Sequence, residues 1–338
     1  MAKVLVVGGA GYVGSTACAF LLDAGHEVWV LDNLSTGHSE LVLTKNFVQA
    51  DAGDRKALAK LLARERMDCV MHFAAKSLVG ESFQKKDEYF ENNVTQTREL
   101  LQCLLEFGVH RFIFSSTCAI FGDPGGQDLH ENLPEKPINP YGETKLQVEK
   151  DLRQLAQDTP LNAIAFRYFN AAGAEPKLRV GEWHEPESHL IPKVIQALIQ
   201  SRPIEVYGSD YPTPDGSCIR DYIHVWDLAW AHCAGMERLL KSDAKKKTGS
   251  FEAFNLGSEN GYSVQEIIQG CESVTQKKAE VLLKERRSGD PARLVAQSAW
   301  AKKELGFGKN LQSLTSILSS AYQWELKRLK LKSLSSAI

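Results

Sequence analysis

The sequence lacks any long apolar segment. No run of apolar residues approaches the roughly 20 that a helix needs to cross a bilayer. The chain starts Met1-Ala2-Lys3 and passes directly into an apolar stretch at 4–7, without the charged leader, apolar core and cleavage site of a secretion signal. We therefore expect a protein that neither has a membrane partner nor is exported.

The sequence also lacks an excess of charge of one sign. It has 40 lysines and arginines against 42 aspartates and glutamates, a formal net charge of −2. A general nucleic-acid binder needs a broad basic surface, because phosphates supply most of its affinity. The charge balance therefore argues against nucleic acid as a partner.

Cysteine is sparse and shows no pattern. The seven cysteines are scattered and contain no C-x-x-C pair. An odd number without a framework is typical of a reducing compartment, and isolated cysteines usually pack as small apolar residues. We therefore predict a cytoplasmic protein with no metal site.

What the sequence does contain is an alternation of short apolar strands and helices. Strands are predicted at 4–7, 27–31, 47–50, 69–73, 111–115 and 162–167, and helices at 15–24, 55–66, 93–107 and 141–157. Continuous rather than alternating hydrophobicity means that both faces of the sheet are covered. This rhythm predicts an α/β fold, a Rossmann-type doubly wound parallel sheet, with a smaller interleaved α/β substrate domain.

The composition changes after Asn170, which suggests a second domain. Residues 174–188 are rich in Glu, Pro and Gly, and 208–217 form another loop-like stretch. We predict a nucleotide-binding domain at 1–173 with return segments at about 219–257, and a substrate domain at 174–218 and 258–338.

A glycine motif follows the first strand and opens the first helix. Gly8-Gly9-Ala10-Gly11-Tyr12-Val13-Gly14 contains G-x-G-x-x-G. Glycines allow the tight turn and let backbone N–H groups approach a pyrophosphate at the helix N-terminus. The position predicts a dinucleotide site, the alternative being a glycine-rich turn without a ligand.

Acidic residues end the second and third strands. Asp32 stands about 20 residues after the glycines, where a carboxylate can accept hydrogen bonds from ribose hydroxyls and repel a 2′-phosphate. This favours NAD over NADP. Asp51 could face the adenine, or could simply form a turn or cap.

A Y-x-x-x-K pair opens a later helix. Asn139 is a suitable cap and Pro140 a suitable first residue, so Tyr141 and Lys145 share one helix face. The nearby ammonium and the positive helix end are expected to favour the phenolate. Tyr141 thus becomes a candidate acid/base for an alcohol, unless the pair is only part of a surface helix.

Thr117 ends a buried strand whose last three residues, 115–117, carry hydroxyl groups. At the carboxyl edge of the sheet, its hydroxyl could pass a proton between a substrate and Tyr141. The alternative is a turn formed by the Ser/Thr cluster.

Together these motifs resemble the extended short-chain dehydrogenase/reductase family and, within it, the UDP-glucose 4-epimerases. The similarity runs from Val4 to about Trp324. It is carried by the segments 8–14, 31–34, 72–75, 79–82, 92–94, 114–117, 140–145, 167–170, 211–216, 220–225, 254–257 and 286–290.

The resemblance implies a set of site residues. The implied catalytic group is Thr117, Tyr141 and Lys145. The implied NAD contacts are Gly8, Gly11, Tyr12, Val13, Gly14, Asp32, Asn33, Asp51, Ala52, Phe73, Ala74, Ala75, Asn92, Ser115, Tyr141, Lys145 and Tyr168. The implied contacts to a UDP-sugar are Thr117, Tyr141, Asn170, Leu190, Tyr207, Arg220, Arg287, Asp290 and Leu294. Arginine forks suit phosphate oxygens, although each arginine taken singly could equally form a surface ion pair.

The implied reaction is the interconversion of UDP-galactose and UDP-glucose through a transient 4-keto sugar, with NAD regenerated in every turnover. The resemblance also implies a homodimer formed through helices such as the one at 93–107. A UDP-pentose or UDP-uronate 4-epimerase, or a non-catalytic NAD-binding regulator, stays possible. A 4,6-dehydratase is disfavoured because Cys118 and Ala119 follow Thr117, where that reaction needs acidic groups.

Two positions depart from the family pattern. A lysine that some members carry at the position of Ser77 stands one residue earlier, at Lys76, and the usual acid near 297 is Gln297. Leu294 occupies a position that lines the sugar pocket in the family. Its branched side chain is expected to disfavour N-acetyl sugars, unless it serves only core packing.

Overall fold

The computed structural model describes residues 1–241, 247–287, 290–309 and 311–335. The strands are β1 (Lys3–Val7), β2 (Glu27–Asp32), β3 (Phe47–Gln49), β4 (Cys69–His72), β5 (Arg111–Thr117), β6 (Asn162–Tyr168), β7 (Asn170–Ala172), β8 (Ile204–Tyr207), β9 (Ile219–His224), β10 (Ser250–Leu256), β11 (Gly261–Ser263), β12 (Val281–Lys284) and β13 (Arg293–Leu294).

The α-helices are α1 (Tyr12–Asp23), α2 (Arg55–Leu62), α3 (Val79–Ser82), α4 (Lys86–Phe90), α5 (Gln96–Glu106), α6 (Pro140–Asp158), α7 (Leu190–Gln200), α8 (Val225–Leu240), α9 (Val264–Thr275), α10 (Ala299–Leu305) and α11 (Leu314–Ser335). A π-helical turn, Glu91–Thr95, joins α4 to α5, where the sequence predicted one regular helix from residue 93 to 107.

Seven parallel strands form the main sheet, in the order β3-β2-β1-β4-β5-β6-β10. The chain moves outward from β1 to β3, returns to β4 beside β1, and then moves outward on the other side. This doubly wound order creates a switch point between β1 and β4. The predicted Rossmann-type fold is confirmed.

Alternate side chains of each central strand enter two different cores. In β1, Val4 and Val6 lie in the core beneath α1 and α8, whereas Leu5 and Val7 lie in the core beneath α2, α5 and α6. All four are fully buried. Because successive strand residues point to opposite faces, the continuous apolar runs in the sequence are explained by helices on both sides.

The smaller region contains three helices packed on one another, α7, α9 and α11, beside the paired strands β8 and β12. A second sheet combines β11, β9 and β13, with β7 paired to β9. Of the predicted return segment, β10 joins the main sheet and α8 packs against α1, but β9 lies in the second sheet. The proposed domain limits themselves stay a prediction.

None of the helices within the described residues combines the length and the hydropathy that crossing a membrane requires.

A buried carboxylate joins α8 to the segment before α11. Asp227, in the first turn of α8, is buried and accepts a hydrogen bond from the backbone N–H of Gln312 at 2.9 Å. Burial raises the pKa of Asp227 to about 6 from its ordinary 3.8, and the Gln312 hydrogen bond offsets part of this rise. The native protein therefore binds this proton more tightly than the unfolded chain does.

We expect Asp227→Asn to remove a pH dependence of stability. The contribution of Asp227 is fully present below about pH 4 and is lost as the pH rises through about 6. Between these limits the free energy of unfolding of the wild type should fall relative to the variant by roughly 2–3 kcal/mol. Urea unfolding at several pH values measures this difference, with exposed Asp158→Asn as the control. A constant difference across this range would contradict it.

Candidate active site

The carboxyl ends of four central strands meet at one edge of the main sheet. Val7 of β1 is in register with His72 of β4, and His72 with Phe114 of β5. β5 and β6 continue together to the pair Thr117 and Tyr168. The residues that follow these strands therefore surround the switch point, which is where doubly wound sheets bind ligands.

The glycine motif forms a close-packed turn at this edge. Gly8 has φ +83°, and a Cβ there would lie 2.4 Å from the backbone nitrogen of Ala74. A Cβ on Gly14 would lie 2.1 Å from the carbonyl oxygen of Gly8. Among the described residues no side chain caps the N-terminus of α1, so its first N–H groups are open to an anion. This cradle fits the pyrophosphate of a dinucleotide.

Asp32 lies beside the cradle at the end of β2. One carboxylate oxygen accepts from the backbone N–H of Ala10 at 2.9 Å, and the other from that of Leu34 at 2.8 Å. Each oxygen keeps a lone pair for a ribose hydroxyl. Asn33 donates to the Asp51 carboxylate at 2.6 Å, so the residues predicted on the adenosine side lie together.

The segment after β4 completes the other side of the cradle. The backbone N–H groups of Phe73 and Ala74 both donate to the carbonyl oxygen of Val7, at 2.7 and 3.1 Å. Ala75 follows them and is partly buried. On the next two strands, β5 and β6, the hydroxyls of Ser115 and Tyr168 are hydrogen-bonded to each other.

The remaining predicted cofactor residues occupy varied surroundings. Tyr12 is buried and donates its hydroxyl to the carbonyl oxygen of Gly173 at 2.6 Å, and Val13 follows it in the first turn of α1. Ala52 lies after β3 among partly buried apolar residues. Asn92 donates to the side chain of Asn93 at 2.9 Å.

Asn93 is a residue that the sequence reasoning missed. It is buried and donates to the carbonyl oxygen of Lys76 at 2.9 Å and to the Thr144 hydroxyl at 3.1 Å. It also accepts from the backbone N–H of Lys76. Asn93 therefore ties the segment after β4 to the helix that carries Lys145. Only its position beside Asn92 in a motif could have drawn attention to it.

The predicted catalytic residues converge between β5 and α6. Asn139 caps α6 by accepting from the backbone N–H of Gly142 at 2.8 Å, and Pro140 occupies the first helical position, as predicted. Lys145 is buried and donates to the carbonyl oxygen of Ser115 at 2.8 Å. Its ammonium lies 6.0 Å from the centre of the Tyr141 ring.

The pKa values of Tyr141 and Lys145 are shifted by burial, and the shift of Tyr141 is opposite to the one expected from the sequence. Burial raises the pKa of Tyr141 to about 12, and a hydrogen bond with Thr117 offsets part of the rise. Burial also lowers the pKa of Lys145 to about 7, partly offset by Glu149. Burial therefore opposes the phenolate that the ammonium and the helix end were expected to favour, and the pKa of Tyr141 rises rather than falls.

A buried ion-pair network lies next to Lys145, and its Glu149 charge acts on the Lys145 ammonium. Glu149 is fully buried and accepts from the Ser116 hydroxyl at 2.6 Å and from Arg167 at 3.0 and 2.6 Å. Arg167 is only 1% exposed, although it lies in a strand of the main sheet. The sequence reasoning missed this network. Its signals are the i, i+4 spacing from Lys145 to Glu149 and a charged residue inside an apolar strand.

The predicted UDP contacts form two pairs in the smaller region. The Arg220 guanidinium donates to the Asp290 carboxylate, and also to the carbonyl oxygen of Ile219 at 2.8 Å. The Arg287 guanidinium lies 4.2 Å from the centre of the Tyr207 ring. Arg220 thus makes the ion pair that was its alternative interpretation, and this leaves donors of the same fork for a phosphate.

The other predicted substrate residues lie around these pairs. Asn170 donates its side-chain amide to the carbonyl oxygen of Asp221 at 2.9 Å, and Leu190 is the partly buried first residue of α7. Leu294 is in register with Arg220. It packs against an apolar cluster that includes Cys118 and Leu146, the neighbours in sequence of Thr117 and Lys145. Leu294 therefore lies between the two groups of predicted residues and also has a packing role.

One group of side chains among the described residues has the composition and spacing of a metal site. Potential ligand atoms of Glu182, His184, Glu187 and His189 all lie within 4.8 Å of one another. The scattered cysteines had predicted no metal site. The sequence signal that could have found it is the repeated E-x-H in E-x-H-x-x-E-x-H.

The chain is similar to a protein-family model and to curated proteins. Residues 4–257 match the model of the NAD dependent epimerase/dehydratase family. A UDP-glucose 4-epimerase of Halalkalibacterium halodurans is 46% identical over 322 residues, which cover 95% of each chain.

Solved structures show the same similarity. The UDP-glucose 4-epimerase of Brucella ovis in complex with NAD is 41% identical, with a TM-score of 0.91 over 96% of this chain and 98% of that one. The Bifidobacterium longum enzyme in complex with NAD+ and UDP is 32% identical, with a TM-score of 0.89 over 97% and 99%. The resemblance read from the motifs is confirmed: the chain belongs to the NAD dependent epimerase/dehydratase family, within the extended short-chain dehydrogenases/reductases.

Proposed function

We propose that this chain is an NAD-dependent UDP-glucose 4-epimerase, an isomerase that interconverts UDP-galactose and UDP-glucose through a transient 4-keto sugar. The observation that carries the proposal is the convergence of Thr117, Tyr141 and Lys145 beside the glycine cradle at the carboxyl edge of the sheet. An alcohol carbon presented there meets both a proton acceptor and a dinucleotide site.

The cradle and its surroundings would hold NAD. Gly8 and Gly14 permit the close-packed turn, with Gly11 between them, that would hold the pyrophosphate at the start of α1. The Asp32 carboxylate would accept from the ribose. Lys145 and Tyr168, which both contact Ser115, would lie at the nicotinamide end. When bound, NAD would accept hydride from carbon 4 of the sugar and return it, which accounts for inversion without net oxidation.

Thr117 and Tyr141 would accept the proton of the sugar hydroxyl and later return it. Because burial raises the free energy of a free phenolate, the Thr117 side chain, which lowers the pKa of Tyr141, would help to stabilise it. The proton can move through the Thr117 hydroxyl between the sugar and the phenol without leaving an isolated charge. Lys145, held by the Ser115 carbonyl and the Glu149 charge, would supply positive charge to the developing phenolate.

The arginines would anchor the substrate by its pyrophosphate. Arg220 and Arg287 offer planar forks that suit phosphate oxygens, and Tyr207, which stacks with Arg287, would lie beside the uracil. Asn170 and Asp290 would complete the UDP site, with Leu190 at its edge. Anchoring at the pyrophosphate leaves the sugar free to turn over between the two hydride transfers.

We also propose a cytoplasmic homodimer that acts in galactose metabolism. All seven cysteines are free, which suits a reducing compartment. The helical region from α3 to α5 exposes large apolar side chains, which a partner subunit would cover. These are Val79, Phe83, Phe90 and Phe107.

Purified protein given UDP-galactose alone should form UDP-glucose without accumulating NADH, since NAD is regenerated in each turnover. Absorbance of NADH and separation of the two sugar nucleotides measure both quantities. Steady NADH accumulation would indicate a dehydrogenase, and absence of turnover a binding protein. The same assay with UDP-xylose and UDP-glucuronate distinguishes a pentose or uronate epimerase, since higher kcat/KM for either would overturn the hexose assignment.

Tyr141→Phe should reduce turnover by about 10²–10⁴-fold, because it removes the proton acceptor but keeps the ring. Binding of UDP should change little, since the phenol is not a proposed pyrophosphate contact. Steady-state kinetics and UDP titration measure the two effects.

The matched control is Tyr322→Phe, which removes a hydroxyl in the smaller region, away from the predicted site. It should keep wild-type turnover. Near-normal activity of Tyr141→Phe would show that another group moves the proton.

Leu294→Ser should widen the choice of sugar. A leucine beside Arg220 fills space that an acetamido group would occupy and offers its polar atoms no partner. Leaving them unpaired costs about 1–3 kcal/mol, so the unmodified enzyme should prefer plain UDP-hexoses over their N-acetyl forms. The ratio of kcat/KM for the two substrate pairs measures the preference, and Leu294→Ser should bring it closer to one.

Leu133→Ser is the matched control, because Leu133 packs against the same apolar cluster and is also partly buried. It should lose stability and keep the sugar preference. If Leu294→Ser behaves in the same way, the role of Leu294 is core packing alone.

A further inference from the structure

Four side chains from one short segment face a common point between the glycine cradle and α7. The Nδ1 atom of His189 lies 2.7 Å from a carboxylate oxygen of Glu182 and 3.3 Å from one of Glu187. The Nδ1 atom of His184 lies 3.2 and 3.7 Å from oxygens of the same two carboxylates. No other element of the described chain contributes to this group.

These separations are those of hydrogen-bonded ion pairs, and they lie near the separations of ligands around a tetrahedral ion. Zinc binds imidazole nitrogen and carboxylate oxygen at about 2.0–2.2 Å, so the edges of its coordination tetrahedron measure roughly 3.4 Å. The four measured separations lie on either side of this value. Both histidines direct the same ring nitrogen to the centre, so one ion can reach all four side chains.

The spacing in the sequence explains how the segment achieves this. Glu182 and His184, and again Glu187 and His189, are two residues apart. In extended backbone, residues i and i+2 project to the same side, and His189 has extended φ and ψ of −80° and 148° at the N-cap of α7. Each E-x-H pair therefore offers one oxygen and one nitrogen to the same side.

The charges of this group also allow a cation at this point. The side chains of Glu182 and Glu187 are only 8% and 7% exposed. Buried carboxylates need compensation by a partner charge or a metal. His184 and His189 supply that charge when both are protonated. A divalent ion with two neutral histidines would balance the two carboxylates equally.

We propose that Glu182, His184, Glu187 and His189 bind one zinc ion as a structural site, independently of the proposed epimerase activity. Two nitrogen and two carboxylate ligands in a closed four-coordinate arrangement leave no position for a substrate. The site therefore stabilises the fold and takes no part in the reaction.

The surroundings indicate what the ion holds together. The His184 ring meets the ring of Tyr12 edge-on, with centroids 6.2 Å apart, and Tyr12 is the first residue of α1. Trp324 of α11 donates to the carbonyl oxygen of Glu182 at 2.7 Å. His189 directly precedes α7. Zinc would therefore fix the start of α1, and with it the glycine cradle, to α7 and α11 of the smaller region.

The test is the zinc content and stability of the full untagged chain. After exposure to zinc and dialysis, elemental analysis should find about one zinc per chain. Removal by a chelator should lower the melting temperature, and added zinc should restore it, because metal that binds the native state stabilises it. Absence of bound zinc, or a melting temperature that chelator and zinc leave unchanged, overturns the proposal.

Ligand variants identify the site. His184→Gln and Glu187→Gln should each weaken zinc binding by more than about 100-fold, the upper limit for loss of an outer-shell partner. The control His110→Gln, before β5, should bind zinc as the wild type does. Wild-type zinc content in both ligand variants would contradict the assignment, as would preference for another divalent metal in competition. The chelator experiment on the wild type stays decisive if a variant fails to fold.

Discussion

The contact on which the rest of the site depends is the close approach of the Gly8 turn to the segment after β4. Val7 accepts hydrogen bonds from both Phe73 and Ala74, and Gly8 packs so near Ala74 that any side chain would collide with its backbone. The same turn places Gly14 against the Gly8 carbonyl and aims the start of α1 into the crevice. Without this packing, the switch point between β1 and β4 would not be open to a pyrophosphate.

Burial then determines how the catalytic group works. Removal from water raises the pKa of Tyr141 and lowers that of Lys145, so neither side chain is ionised as readily as in solution. The protein compensates with positioned partners: Thr117 for the phenol, and the Ser115 carbonyl and Glu149 for the amine. Glu149 is itself neutralised by the buried Arg167. The proposed catalytic group is therefore part of a polar network that extends through α6 into the main sheet.

The smaller region is joined to the main sheet by contacts of two kinds. Apolar packing around Leu294 reaches the neighbours of Thr117 and Lys145, which couples the proposed sugar pocket to β5 and α6. The segment from Glu182 to His189 reaches α1 through a ring contact and α11 through a hydrogen bond, and it leads directly into α7. Such connections keep the proposed UDP site at a constant distance from the dinucleotide cradle, as transfer of hydride over a short distance requires.

The strand and helix alternation, the glycine turn, the cap of α6 and the shared face of Tyr141 and Lys145 can be predicted from local patterns, because each depends on residues that are neighbours along the chain. Long-range packing is needed to see that β9 joins the second sheet, that Arg220 pairs with Asp290, and that Arg167 reaches Glu149. It also decided the direction in which the pKa of Tyr141 moves. Contacts between distant segments and the loss of water around a side chain depend on packing, and no local pattern encodes how far a residue will be buried.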